Sequence, residues 1–326
     1  MTGIIDVHHH ILPPAYLATI GERLGPQGLL GPAPQWSPAL SIEVMDRNRI
    51  SAAVTSISSP GVWFGDVDET CRLARMCNDY AAELKRNYPN RFGVFAVLPL
   101  PDVEASLREI EYVLDILKSD GFGLLTNYGG KYPGDAAFAP IFDELNRRKA
   151  VVFFHPTMAG YGSYFTEIPA PSLEFPFDTT RAITSLLYSG TLRRCRDIRF
   201  IFSHAGGTVP FLAERIARLV IRPGFREAAP DGALAEFAGL YYDMALSANL
   251  LCFDPLRRLV STSHILFGSD YPHAGEPTMT ASVHGLRDLD LSESDRRAIE
   301  TANSLNLFPA LAKGMGKQAG TAPDAR

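Results

Sequence analysis

Eight short apolar runs, separated by amphipathic helical patterns, constrain the fold of this chain more than any other feature. They fall at residues 4–8, 52–58, 92–98, 122–126, 151–155, 199–204, 240–245 and 265–269. Most are continuous hydrophobic stretches rather than apolar–polar alternations, as expected of strands covered on both faces of a parallel sheet. Helical periodicity fills the intervals around 42–49, 68–87, 103–119, 136–149, 179–189, 211–220 and 255–261, with a last helical region from about 292 to 312. Eight strands alternating with helices in 326 residues predict an α/β fold, one (β/α)8 barrel of the TIM type, rather than two open α/β domains. The Gly-rich fingerprint of a dinucleotide-binding sheet is missing after the first run. No repeat or Pro/Ser-rich linker divides the chain, so residues 1–312 are expected to form a single domain. Residues 313–326 hold too little apolar content to pack and are expected to be a disordered tail.

Two connections are long for a compact domain: 11–39, rich in Pro, Gly and Leu, and 157–177, rich in Gly, Pro and aromatics. Both follow a run carrying histidine, which suits lids, binding loops or subunit contacts. A formal net charge of −5 without a basic run gives no footprint for nucleic acid. No apolar stretch approaches the ~20 residues of a membrane helix. The N-terminus enters a strand without a signal-peptide pattern, so export is not expected. Cys71, Cys77, Cys195 and Cys252 form no C-x-x-C pair, which argues against a zinc ribbon or disulfide scaffold and for a reduced, cytoplasmic setting.

Barrel chemistry sits at the C-terminal ends of the strands. The first run leads into His8, His9 and His10, and strict alternation turns Asp6, His8 and His10 one way and Val7 and His9 the other. His155 ends the fifth run, His204 ends the sixth, and Asp270 follows the eighth. A lone histidine ending an apolar strand is more often structural than a ligand. Five ionisable groups on one rim would each need a buried partner, and a shared metal site explains them together. Imidazole and carboxylate donors suit zinc and its first-row neighbours.

The motifs Asp-Val-His-His-His-Ile-Leu-Pro-Pro from Asp6, Phe-Phe-His-Pro from Phe153, Ser-His-Ala-Gly-Gly-Thr-Val-Pro-Phe from Ser203 and Phe-Gly-Ser-Asp-Tyr-Pro from Phe267 resemble the amidohydrolase superfamily. The resemblance covers nearly the whole chain and is to the branch of aminocarboxymuconate-semialdehyde decarboxylase and the ortho-hydroxybenzoate decarboxylases. Within it, the histidine triplet, Cys77-Asn78, Arg181-Ala182 and the Ser-His-Ala-Gly-Gly segment are most similar to the fungal 6-methylsalicylate decarboxylases. The resemblance implies one divalent ion held by His8, His10, His155 and Asp270, with zinc preferred and manganese the alternative. His204 would stand beside it as a catalytic residue. Binuclear relatives carry a carboxylated lysine ending strand four. Here that strand ends Leu-Leu-Thr-Asn-Tyr and Lys131 lies beyond it, which implies a mononuclear site.

The implied reaction is non-oxidative decarboxylation of a small aromatic ortho-hydroxy acid, 6-methylsalicylate or a similar salicylate. Asp270 would give the proton to the ring with His204 assisting. The exchanged assignment, His204 activating water, uses the same residues. The alternative reaction is metal-assisted hydrolysis of a lactone, ester or amide. Arg215 matches an arginine that in these relatives reaches the neighbouring subunit's site, implying a substrate-binding role and a homodimer; the plainer reading is a solvated helix charge. Arg181, taken to start the helix after strand five, is read as structural. Asp6 is expected to accept hydrogen bonds beneath the metal and His9 to pack behind the strand. His264 belongs to the opposite end of the barrel, and His284 to an exposed late helix. His273 follows Asp270 closely enough to border the pocket, though loop packing is the plainer reading. Trp36, Tyr161 and Phe165 would cover a ring substrate or, more simply, pack their loops.

Overall fold

All eight expected strands are present in the computed structural model, which describes residues 3–24, 33–159 and 167–312. They are β1 (Ile4–His10), β2 (Ile50–Ser56), β3 (Phe92–Val97), β4 (Gly121–Leu125), β5 (Val151–His155), β6 (Arg199–Phe202), β7 (Tyr241–Asp243) and β8 (Ile265–Leu266). Every neighbouring pair is parallel and the order follows the sequence. The seam between the last strand and the first is drawn together by backbone hydrogen bonds. Val7 N–H donates to the Phe267 carbonyl at 3.0 Å, Asp270 N–H to His8 at 2.8 Å, and His10 N–H to Tyr271 at 2.7 Å. The result is the (β/α)8 barrel.

Two apolar layers explain the unbroken hydrophobic runs. Inside the barrel, Ile5, Val7, Val54, Phe153, Ile201 and Leu266 meet, with Phe95 stacked on Phe153 at 5.2 Å. Leu307, Phe308 and Leu311 from the C-terminal helical region plug this interior from below. Outside the sheet, Ile4, Phe92, Phe122, Phe154 and Phe202 pack against the surrounding helices.

Strand β1 departs from simple alternation. Its register against β2 shifts between Asp6 and His9, as at a β-bulge. Ile5 and Val7 join the inner layer, and after the shift His8 and His10 face the same axis. Asp6 therefore looks outward with His9, not inward with the ligands.

The long connections contain more helix than their composition suggests. Helix Pro14–Leu24 lies within 11–39, helix Pro38–Arg47 begins at its end, and Ala170–Tyr188 begins inside 157–177. Pro14 and Pro38 stand at the first helical position, where a missing N–H is no loss. Ser37 caps the second of these helices by accepting the Leu40 N–H at 3.1 Å. Pro176 lies inside the third. Another helix, Gly275–Asp288, follows β8 and carries His284. Tyr161, Phe165 and the tail 313–326 lie outside the described residues.

The plug gives a direct test. Phe308 is 1% exposed and meets the Phe95 ring edge-on at 5.6 Å. Phe308→Ala should lower unfolding free energy by about 3–5 kcal/mol in a denaturant titration. A loss below ~1 kcal/mol would show that the plug does not secure the barrel.

Candidate metal centre

Four side chains meet where β1, β5 and the segment after β8 reach the catalytic rim. The available donor atoms of His8, His10, His155 and Asp270 lie within 4.8 Å of one another. His8 Nε2 is 3.1 Å from His10 Nε2 and 3.2 Å from Asp270 Oδ1. His10 Nε2 is 3.1 Å, and His155 Nε2 3.9 Å, from the same oxygen. Donors about 2.0–2.2 Å from one tetrahedral ion stand about 3.3 Å apart, so the spacing fits a small divalent cation.

The other ring nitrogens reinforce that fit. His8 Nδ1 donates to Asp243 Oδ2 at 2.9 Å and His155 Nδ1 to the Pro156 carbonyl at 2.8 Å, while His10 Nδ1 pairs with Ser56 Oγ at 3.1 Å. With Nδ1 so engaged, each Nε2 is free to present its lone pair to a metal at the common centre. Two such lone pairs 3.1 Å apart repel unless a cation lies between them.

The electrostatics carry the same demand. Burial opposes charge on His8, yet the Asp243 and Asp270 carboxylates prevail and push its pKa up to about 10. Burial dominates at His10, held well below its ordinary value, and at His155, lowered to about 4. Burial opposes ionisation of Asp270, but the histidines around it hold its carboxyl well below the usual range. Asp243 is likewise lowered, against burial, chiefly by His8. His10 and His155 are thus neutral beside an ionised carboxylate, the forms a divalent metal requires, and His8 must give up the proton that the two carboxylates hold on it when a metal binds.

His204 closes the group. Its Nε2 lies 3.4 Å from Asp270 Oδ2, the oxygen not shared with the three other histidines, and its Nδ1 is buried without a partner among the described residues. His204, Ala205 and Asp270 all have left-handed backbone, with φ of 53°, 56° and 62°. Such conformations cost about 1–3 kcal/mol each outside glycine and persist where the surroundings enforce them. Here the His204 N–H donates to Asp243 Oδ1 at 3.1 Å, and the Asp270 N–H is held by His8.

Above these groups opens a cavity of about 480 Å3 whose lining includes Phe175, Pro176, Leu246, Cys252, His155, His204, Asp270 and His273. His273 thus does border the pocket. Asp6 accepts hydrogen bonds, as expected, but on the outer side of the sheet. It accepts the His8 N–H at 3.0 Å, His9 Nδ1–H at 3.0 Å, and both N–H and O–H of Ser269 at 3.1 and 2.6 Å. His9 accepts from Ser41 Oγ at 2.7 Å, fastening β1 to the helix behind it. The ligand imidazole is buttressed by Asp243, which the sequence reading passed over. The available signal was a carboxylate after two tyrosines at the end of a short strand.

The remaining residues separate cleanly. His264 stacks on Tyr241 at 4.5 Å, and His284 is exposed. Trp36 meets Tyr80 at 6.3 Å, a packing contact. Lys131 is exposed, while Thr126 and Asn127 at the end of β4 donate to buried Asp178. Arg181 lies mid-helix, 3.9 Å from Asp178, rather than at a helix start. Arg215 is exposed on the helix Val209–Ala217.

Removing the negative charge behind His8 tests the buttress. Asp243→Asn should weaken metal affinity about 10- to 100-fold in a chelator competition, with the fold retained by circular dichroism. Unchanged affinity would remove Asp243 from the centre.

Comparison with known proteins places this geometry in a lineage. The family model described as Amidohydrolase matches residues 5–310. "Decarboxylase macB" of Penicillium terrestre is 36% identical over 321 residues, covering 94% of each chain. The "6-methylsalicylic acid decarboxylase" of Penicillium expansum is 35% identical over 314 residues, covering 94% of this chain and 96% of its own. Among solved structures, an amidohydrolase II superposes with a TM-score of 0.88 at 29% identity, covering 94% of this chain and 99% of the other. With its barrel and its rim of histidines and aspartate, the chain belongs to the amidohydrolase family.

Proposed function

We propose that the chain is a metal-dependent, non-oxidative decarboxylase of a small aromatic ortho-hydroxy acid, with 6-methylsalicylate as its substrate. The observation that carries this reading is the division of Asp270: Oδ1 faces three imidazoles, while Oδ2 faces His204 at 3.4 Å beneath a cavity walled by Phe175 and Leu246. The decarboxylase relatives, similar over nearly the full chain, support it.

A divalent ion held by His8, His10, His155 and Asp270 would supply positive charge to the adjacent carboxylate and hydroxyl oxygens of such an acid. The imidazole-rich donor set favours zinc, with manganese the competitor in metal analysis. Phe175, Pro176 and Leu246 offer apolar surface to the ring and exclude water from its faces. His204 passes a proton to Asp270 Oδ2, and Asp270 delivers it to the ring carbon bearing the carboxylate. The carbon–carbon bond then breaks, its electron pair stays with the ring, and carbon dioxide leaves. One proton enters and no electron acceptor is needed.

The same reading includes a homodimer. Phe211 and Leu251, 84% and 89% exposed, sit at the starts of two touching helices, Val209–Ala217 and Leu250–Leu259. Arg215 is one turn from Phe211 on the first. Pairing of this face between two copies would bury the apolar residues and bring Arg215 toward the neighbour's substrate carboxylate. Among the described residues no helix is long and apolar enough to cross a membrane. The free cysteines favour a cytoplasmic setting, and the shared barrel favours one domain through residue 312.

Metal-loaded protein should release carbon dioxide from 6-methylsalicylate without oxygen, lose activity to a chelator and regain it on metal return. Inertness toward a panel of salicylates, or solvent-oxygen label in a hydrolysed product, would overturn the reading. Asp270→Asn should abolish turnover while leaving the fold intact. The double change Phe211→Glu and Leu251→Glu should convert a dimer to monomers in sedimentation; an unaltered dimer would place the interface elsewhere.

A further inference from the structure

The histidine ligands are braced by groups of different kinds. His8 leans directly on the Asp243 carboxylate, whereas His155 Nδ1 donates to the neutral carbonyl of Pro156 at 2.8 Å. That carbonyl is one end of the peptide plane joining Pro156 to Thr157. At the other end the Thr157 N–H donates to Thr126 Oγ1 at 3.1 Å. The Thr126 hydroxyl donates in turn to Oδ2 of Asp178. The whole chain is buried, with Thr126 and Asp178 fully closed to solvent.

Every donor in this series points the same way, from the ring through the peptide and the hydroxyl to a buried carboxylate. Hydrogen bonds aligned in series polarise one another, most strongly where water is excluded. The negative end therefore enriches the Pro156 oxygen, which tightens its hold on the His155 N–H and makes Nε2 a better metal donor. Two more groups keep Asp178 in place: Asn127 Nδ2 donates to it at 2.8 Å and the Tyr132 hydroxyl at 2.6 Å. Asn127 also donates to the Met158 carbonyl at 3.0 Å, so the segment after His155 is gripped a second time. We propose that Asp178 is the remote carboxylate of His155, a positioning residue that orients this ligand through Thr126 and the Pro156–Thr157 peptide and raises the metal affinity of the centre. A carboxylate that only fastened the helix Ala170–Tyr188 to the end of β4 would change stability and leave metal affinity alone. The inference concerns the metal centre and holds whichever acid the enzyme consumes.

The test measures zinc affinity by chelator competition, with thermal unfolding of the metal-free proteins in parallel. Thr126→Val breaks the series and should weaken zinc binding about tenfold, whereas Thr126→Ser keeps the hydroxyl and should stay within about twofold of wild type. Asp178→Asn keeps the shape and one acceptor oxygen but loses the charge, and should weaken binding by about threefold to tenfold. Thr126→Val and Asp178→Asn are then each combined with His155→Ala. In that background neither should lower affinity further, because the ligand through which they act is gone. Unchanged affinity in Thr126→Val, or the same loss with and without His155, would overturn the proposal even if the unfolding temperature falls. Should Thr126→Val fail to fold, Asp178→Asn decides by the same two criteria. If the wild type binds no zinc, the metal centre itself fails, and this inference with it.

Discussion

The catalytic rim depends on one buried carboxylate that touches no substrate. Asp6 gathers four donors from β1 and from the segment after β8, and through His9 it reaches Ser41 on the helix Pro38–Arg47. A buried anion is tolerable only when its oxygens are satisfied, and here the satisfying groups are the backbone and side chains adjoining the metal ligands. The same contacts fix the register shift in β1 that brings His8 and His10 to the barrel axis. Ligand geometry therefore depends on a hydrogen-bond cluster on the outer side of the sheet.

A second carboxylate, Asp243, works from below. It holds His8 through one oxygen and the left-handed backbone at His204 through the other. Two functional histidines from different strands thus share one anchor. Gly268 makes this approach feasible, since a Cβ there would sit 2.8 Å from His8 Cβ and 3.0 Å from Asp243 Cγ. The centre is built in layers: outer carboxylate, inner carboxylate, imidazoles, and then the open face of Asp270 toward the cavity.

Much of this was legible in the sequence. The hydrophobic runs gave all eight strands because both sheet faces are covered, and the four donors stood at strand ends where barrel chemistry belongs. Asp6 was misread because alternation assumes an unbroken pleat, and nothing local in Ile-Asp-Val-His announces a register shift. Asp243 was missed because a three-residue strand gives a weak periodic signal, and its partner His8 is 235 residues away. The helices in the long connections were hidden by prolines that fall at first helical positions or, at Pro176, inside a helix held by tertiary contacts. His273 was visible only as a neighbour of Asp270, and its place in the cavity wall is a property of the fold.

The closing of the barrel has a consequence for how the protein is made. The contacts joining His10 to Asp270 and Asp6 to Ser269 span 260 and 263 residues, and the interior plug comes later still. Synthesis proceeds from the N-terminus, so His10 leaves the ribosome 260 residues ahead of its partner Asp270. A chain that stops short of β8 has three of the four donors but neither the seam nor the plug that would hold them. The four donors therefore come together only once the segment after β8 has docked on β1.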